Sequence, residues 1–243
     1  MEFSKLVKKQ VSRWKYVRNY ASFFLFLIKN KEQRRYAFSW VFSLKKNYLL
    51  KKPSPWLTFG AINFLEDYFK THKNIKVFEY GSGGSTLYWL KKGASCVSVE
   101  HNSEWFSLIN SLVKDNPLID YKFVAPSTNT PDEQEIWNPS NPFLYGTDEG
   151  KEFNYEAYVK QIDLYPDKYF DIILIDGRAR TSCLFQSYNK VKQGGIIVLD
   201  NADREYYLEN TRQYLTNFIL KEFKGSAPGL PQSQQTNIYI FSN

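Results

Sequence analysis

The sequence predicts an α/β fold: a largely parallel sheet with helices on both faces, preceded by a basic helical extension. Three observations lead there. From residue 75 onward, short β-branched or aromatic runs alternate with amphipathic stretches, the pattern of strands joined by crossover helices. A glycine turn, Gly81-Ser82-Gly83-Gly84, follows the first run and opens an amphipathic stretch. An acid or amide stands at or just after later strands, as Glu100-His101, Asp176-Gly177-Arg178 and Asp200-Asn201, and in an open parallel sheet the ligand sits beyond the carboxyl ends of the strands.

Charge divides the chain. Residues 1–52 hold 14 Lys/Arg and 2 acids, whereas the remainder holds 18 and 23, so the first fifth is a separate electrostatic unit suited to an anionic partner. Val7, Val11, Trp14, Val17, Ala21, Leu25 and Ile28 recur at three or four residues, predicting a basic amphipathic helix. The apolar run Ala21–Ile28 is far shorter than the roughly 20 residues that span a bilayer. Lys29-Asn30-Lys31 follows it where a signal peptide would have a small-residue cleavage site. The first expectation is a cytoplasmic protein whose basic helix packs on the domain with a solvated cationic face; peripheral contact of residues 1–52 with an anionic membrane at its inner face is the second reading and nucleic acid the third. A second helix is expected over Tyr36–Leu50, with Trp40, Val41, Leu44 and Tyr48 on one side; Pro53 and Pro55 end it. The extension is taken as residues 1–55 and the main domain as 56–243.

In the main domain, Phe59–Lys70 reads as a helix in front of the first strand. Strands are placed at Ile75–Tyr80, Cys96–Glu100, Ile119–Val124, Phe170–Asp176, Ile196–Asp200 and Asn237–Ser242. The helices between them are Ser85–Lys92, Ser103–Lys114, Asn154–Leu164, Thr181–Lys192 and Arg204–Lys221. Residues 125–152, rich in Pro, Asn, Ser and Thr, read as an insertion, and loops of this length are commonly lids or binding loops.

Residue types restrict the chemistry. Cys96 and Cys183 cannot make a disulfide framework, and His72 and His101 are the only imidazoles, so zinc clusters and multi-histidine mechanisms are excluded. The glycines after the first strand let backbone approach a ligand and leave amides free to donate. A dinucleotide fingerprint would carry glycine where Thr86 stands. Glu79, two residues before the first glycine, would repel a pyrophosphate but pair with a cationic amino-acid group. Glu100, at the end of the second strand, can accept both hydroxyls of a ribose. An ammonium, a ribose and no phosphate describe S-adenosylmethionine. Glu79 and Thr86 disfavour a nicotinamide dehydrogenase.

At these residues the chain resembles a known family. Val77-Phe78-Glu79-Tyr80-Gly81-Ser82-Gly83, Val97-Ser98-Val99-Glu100, Phe170-Asp171-Ile172-Ile173-Leu174-Ile175-Asp176-Gly177 and Gly194-Gly195-Ile196-Ile197-Val198-Leu199-Asp200-Asn201 look like the ordered motifs of class I S-adenosylmethionine-dependent methyltransferases. The resemblance covers about residues 56–243. It implies a Rossmann-like sheet of seven strands with the last one reversed. It also implies a donor site at Glu79, Gly81, Gly83 and Glu100, beside which Ser82, Ser85, Thr86 and His101 are taken as cofactor-binding. Asp176, Asp200 and Asn201 are similar to the Mg²⁺ ligands of catechol-type O-methyltransferases, although those enzymes place a lysine where this chain offers Arg178 and Arg180. Asp176 and Arg178 are the catalytic candidates, with Asp176 either a metal ligand or a general base. Arg180, Asn201 and Arg204 are substrate candidates, the arginines for an acidic group, and Trp137 and Tyr145 in the insertion are expected to touch substrate. The expected activity is methyl transfer to an oxygen of a small molecule or glycan. The rivals are an RNA methyltransferase acting on ribose or ring positions and a non-catalytic binding protein of the same fold.

Overall fold

A computed structural model of the protein describes residues 17–242. Residues 17–29 are helical (α1), and a 3-10 turn at Arg34–Tyr36 leads into α2, Ala37–Ser43. A short helix α3 follows at Tyr48–Lys51, set off by Asn47 in the left-handed region at φ 57°. The single helix expected over Tyr36–Leu50 is therefore broken, because Asn47 supplies a turn that side chains such as Leu or Val would resist. The predicted stripe also faces the other way. Phe23 and Leu27 of α1 are buried against Trp40, while Val17, Leu25 and Ile28 are exposed; Val7, Val11 and Trp14 lie outside the described residues. On α2 only Trp40 of the expected set is buried, and its indole donates to the Leu230 carbonyl at 2.7 Å. The extension thus docks on the main domain through aromatic rings rather than through its aliphatic stripe.

The main domain begins with helix α4, Phe59–Thr71, and strand β1, Lys76–Tyr80. Next come α5 (Gly84–Lys91), β2 (Ser95–Glu100), α6 (Ser103–Val113) and β3 (Ile119–Phe123). The insertion is a folded strap rather than an open loop. Its β4, Ser127–Thr128, pairs antiparallel with β5, Phe153–Asn154, and between them lies the capped helix α7, Pro131–Glu135. Then come α8 (Glu156–Val159), β6 (Phe170–Ile175), α9 (Arg180–Ser187), β7 (Val191–Asp200), β8 (Phe218–Ser226) and β9 (Ser233–Phe241).

The sheet order is β3-β2-β1-β6-β7-β9-β8, and β9 runs antiparallel to both its neighbours. This is the expected seven-stranded sheet with its last strand reversed. Side chains alternate between two layers of core. Phe78, Tyr80, Ile173 and Ile175 pack under α8 and α9, while Val77, Ile172, Leu174 and Val198 pack under α4 and α5. Strands covered on both faces read as unbroken apolar runs, which is why Ile172–Ile175 and Ile196–Leu199 were so visible in the sequence.

Where the elements differ, pairing overrides periodicity. The helix expected at Arg204–Lys221 is two 3-10 turns, Glu205–Tyr207 and Arg212–Leu215, followed by β8. Its periodic residues Tyr207, Leu208, Thr211 and Leu215 are indeed buried. From Phe218 onward the chain instead satisfies its backbone groups in a nine-residue hairpin with β9. Likewise the helix expected over Thr181–Lys192 stops at Ser187 because Val191 already pairs with Phe170, and Asn154–Leu164 is α8 continued by a 3-10 turn at Lys160–Leu164.

Register determines the site. Tyr80 lies opposite both Val99 and Ile175, and Ile175 opposite Leu199. Gly81, Glu100, Asp176 and Asp200 therefore emerge along one edge of the sheet. Between β1 and β6 the strand order reverses direction, the switch point where open α/β sheets bind ligands.

Candidate functional site

A cavity of about 780 Å³ opens at this edge, within the size range of cofactor sites. Its walls include Gly81 and Ser82 from the β1–α5 turn, Glu100 and Asn102 after β2, Trp105 on α6, and Asp176 after β6. The two facing turns approach so closely that no side chain fits between them. Gly81 adopts φ +89°, and a Cβ there would lie 2.7 Å from Gly177 Cα. Trp105 lies along the turn, its indole donating to the Ser82 carbonyl at 2.8 Å, so one wall of the cavity is a flat aromatic face.

Glu100 is held in place before any ligand arrives. One carboxylate oxygen accepts from the His101 and Asn102 amides at 2.8 Å each, and His101 Nδ1 lies 3.0 Å away. The other accepts from the Ser82 amide at 3.1 Å and the Ser82 hydroxyl at 2.8 Å. Burial alone would raise its pKa, but the hydrogen bonds from His101, Asn102 and Ser82 outweigh it and keep the carboxyl below its ordinary value, hence ionised. The Ser82 hydroxyl is also 2.6 Å from the Tyr121 hydroxyl, so it can leave the carboxylate when a ligand hydroxyl replaces it.

Glu79 is placed differently from the expectation. It is fully buried and accepts from the Thr86 hydroxyl at 2.5 Å, the Ser98 hydroxyl at 2.7 Å and the Trp89 indole at 3.0 Å. Burial pushes its pKa up against these hydrogen bonds. The side chain ties β1, β2 and α5 together behind the cavity and does not reach its wall. Thr86 in turn accepts from the Gly83 amide at 2.9 Å, and Ser85 and Gly83 line a neighbouring groove rather than this cavity. Half of the residues expected to bind cofactor thus shape the turn, while Gly81, Ser82, Glu100 and His101 line the cavity.

At the far end, Asp176 and Asp200 share one guanidinium. Arg180 donates to the Asp176 carboxylate at 3.0 Å and to the carbonyls of Asp176, Asp200 and Gly177 at 2.9, 2.6 and 3.1 Å, with the Asp200 carboxylate 3.8 Å away. A single cation neutralises only one of two buried carboxylates, so the pair retains a proton. Burial, then Asp200, push Asp176 up to about 8, with Arg180 opposing; burial likewise raises Asp200. The Asp176 side chain keeps 23% of its surface exposed, so the proton is reachable from the cavity.

This arrangement does not fit the Mg²⁺ expected at Asp176, Asp200 and Asn201. The guanidinium fills the space between the carboxylates, where a divalent ion would meet a fixed positive charge. Arg180 is spent on this brace and is not free to grip a substrate. Arg178 and Arg204 are held by the strap instead, pairing with Glu149 at 2.8 Å and Asp148 at 2.9 Å. With Arg180, Asn201, Tyr206 and Tyr207 they surround a polar recess of about 210 Å³. Trp137 and Tyr145 line neither cavity; Tyr145 packs on the core. The strap meets the site through Asp148 and Glu149, which the sequence does not mark out, because only the fold brings them against Arg178 and Arg204. Trp105 was missed as well, though its place three residues after the helix-capping Asn102 fixed its direction.

No family model matches the chain, and no curated protein matches it in sequence. Solved structures do. A Klebsiella pneumoniae chain assigned as an O-methyltransferase superposes with a TM-score of 0.50 at 13% identity, over 83% of this chain and 88% of that one. TrmN from Thermus thermophilus gives 0.48 at 10% identity, over 74% and 47%. The precorrin-6y C5,15-methyltransferase of Geobacter metallireducens gives 0.46 at 11%, over 77% and 91%. By the first of these superpositions, together with its strand order and reversed last strand, the chain has the fold of the class I S-adenosylmethionine-dependent methyltransferases.

Proposed function

We propose that the protein transfers a methyl group from S-adenosylmethionine to an oxygen of a small molecule or glycan. The observation that carries the reading is the ionised Glu100 carboxylate at the wall of a large cavity whose other end is the proton-bearing Asp176–Asp200 pair. The donor set suits a nucleoside without phosphates: a carboxylate for the ribose hydroxyls, a side-chain-free turn at Gly81 beside the ligand chain, and Trp105 as a flat wall. S-adenosylmethionine supplies an electrophilic methyl on a sulfonium. The protein's part is to orient the acceptor oxygen in line with it and to receive that oxygen's proton. Asp176 is suited to the second task once the pair has released its proton, an event that its raised pKa of about 8 brings close to the working pH, where a base is most effective; holding two reactants in near-attack geometry supplies most of the rate. The recess beside it, with Arg178 and Arg204, supports an acceptor carrying an anionic group, which would displace Asp148 and Glu149 from the arginines.

The test is incubation with methyl-labelled S-adenosylmethionine and a panel of hydroxylated acceptors with and without a carboxylate or phosphate. Transfer is expected to anionic acceptors and to be lost in Asp176→Asn with donor binding unchanged. Full turnover in that variant would refute the role given to Asp176.

A further inference from the structure

The segment that precedes the sheet domain presents a surface that its own packing leaves unused. On α1, Val17, Leu25 and Ile28 are 52%, 56% and 48% exposed, while the same helix already buries Phe23 and Leu27. On α2, Phe38, Val41 and Phe42, spaced as one helical face, are 71%, 40% and 54% exposed. Exposed apolar side chains scattered singly need no explanation, but two consecutive helices each with an outward stripe do. Around them residues 17–52 carry nine Lys or Arg and a single acid, Glu32. Among the described residues none of these nine cations forms an ion pair, whereas charged residues of the sheet domain form many. Lys45 lies over the Phe42 ring, so charge and apolar surface are interleaved.

We infer that α1 and α2 form a docking face for an anionic lipid bilayer surface, with the rings and aliphatic side chains entering the headgroup boundary and the surrounding lysines and arginines pairing with lipid phosphates. Interfacial helices combine these two ingredients, and both contribute to their affinity. Charge argues against a second copy of the chain, because a self-complementary interface would bring two cationic faces together. The aliphatic side chains argue against nucleic acid, whose phosphates offer them nothing. No helix among the described residues is long and apolar enough to cross a membrane, so the contact is peripheral. The face borders a groove of about 350 Å³ lined by Ser43 and Lys45 on one side and by Ser82 and Asp176 on the other. The inference does not depend on methyl transfer.

The experiment is sedimentation of the full chain with vesicles of phosphatidylcholine alone and of phosphatidylcholine with 30 mol% phosphatidylglycerol, at low and high salt. Binding is expected to the anionic vesicles only and to weaken with salt. Lys31→Gln with Arg34→Gln should lower the partition coefficient about 30-fold, from the usual worth of two surface cations. Phe38→Ser with Phe42→Ser should abolish binding with an unchanged melting temperature. Equal binding to neutral vesicles, no binding to anionic ones, or unchanged binding by either double variant would overturn the inference. So would self-association of the wild type in light scattering that disappears in Phe38→Ser/Phe42→Ser without any vesicle binding.

Discussion

Replacing Arg180 by methionine tests the charge balance at the heart of the site. The side chain fits a similar volume but removes the guanidinium that, among the described residues, alone bridges Asp176 and Asp200, along with hydrogen bonds to three carbonyls. Removing one partner of a buried ion pair costs about 3–5 kcal/mol, and the loss should depend on pH in a defined direction. The folded-state pKa of Asp176 is raised to about 8 from an ordinary value of 3.8. Its contribution to stability is therefore complete below about pH 4 and is lost as pH rises through about 8, at up to about 1.4 kcal/mol per pH unit for one proton. Without Arg180 both carboxylates need protons to fold, so the penalty of the variant should be largest near pH 8–9 and shrink toward pH 5. Urea unfolding of wild type and variant across that range measures it. A penalty independent of pH would show that the guanidinium braces the backbone without neutralising the carboxylates, and the assignment of a shared proton would fall.

Two other substitutions separate wall from scaffold. Glu79→Gln should cost about 1–3 kcal/mol of stability, because the amide nitrogen confronts a donor among Thr86, Ser98 and Trp89, yet shift S-adenosylhomocysteine affinity by less than about threefold; a loss as large as that of a Glu100 variant would mean the side chain reaches the ligand. Gly81→Ala should lower the melting temperature and donor affinity together, since φ +89° and the 2.7 Å approach to Gly177 both exclude a Cβ; an unchanged melting curve would show that the two turns part freely.

Much of the sheet was legible because its central strands are covered on both sides. Val77–Tyr80, Ile172–Ile175 and Ile196–Leu199 read as buried strands, and their ends, with that of Cys96–Glu100, place Gly81, Glu100, Asp176 and Asp200 along one edge. Four features were not legible. β8 is an edge strand whose exposed Lys221, Glu222 and Lys224 break any alternation, and only its partner β9 defines it. The face of α1 that packs inward depends on Trp40, a contact that spacing within α1 cannot reveal. The role of Arg180 escaped because a sequence shows that a cation lies near two acids but not that it sits between them. That single placement turns an expected Mg²⁺ site into an ion-paired brace. Glu79 was likewise assigned from its distance to the glycines, whereas strand alternation sends its side chain to the layer below.

Methyl transfer by this protein requires that the cavity at the strand ends hold a sulfonium nucleoside. Isothermal calorimetry with S-adenosylhomocysteine measures this directly. The wild type should bind one equivalent at micromolar concentration, and Glu100→Ala should bind at least about 100-fold more weakly, the worth of two hydrogen bonds from ribose to an ionised carboxylate, while remaining folded. Absence of heat at millimolar ligand, or equal binding by a folded Glu100→Ala variant, would contradict the account and leave only the architecture.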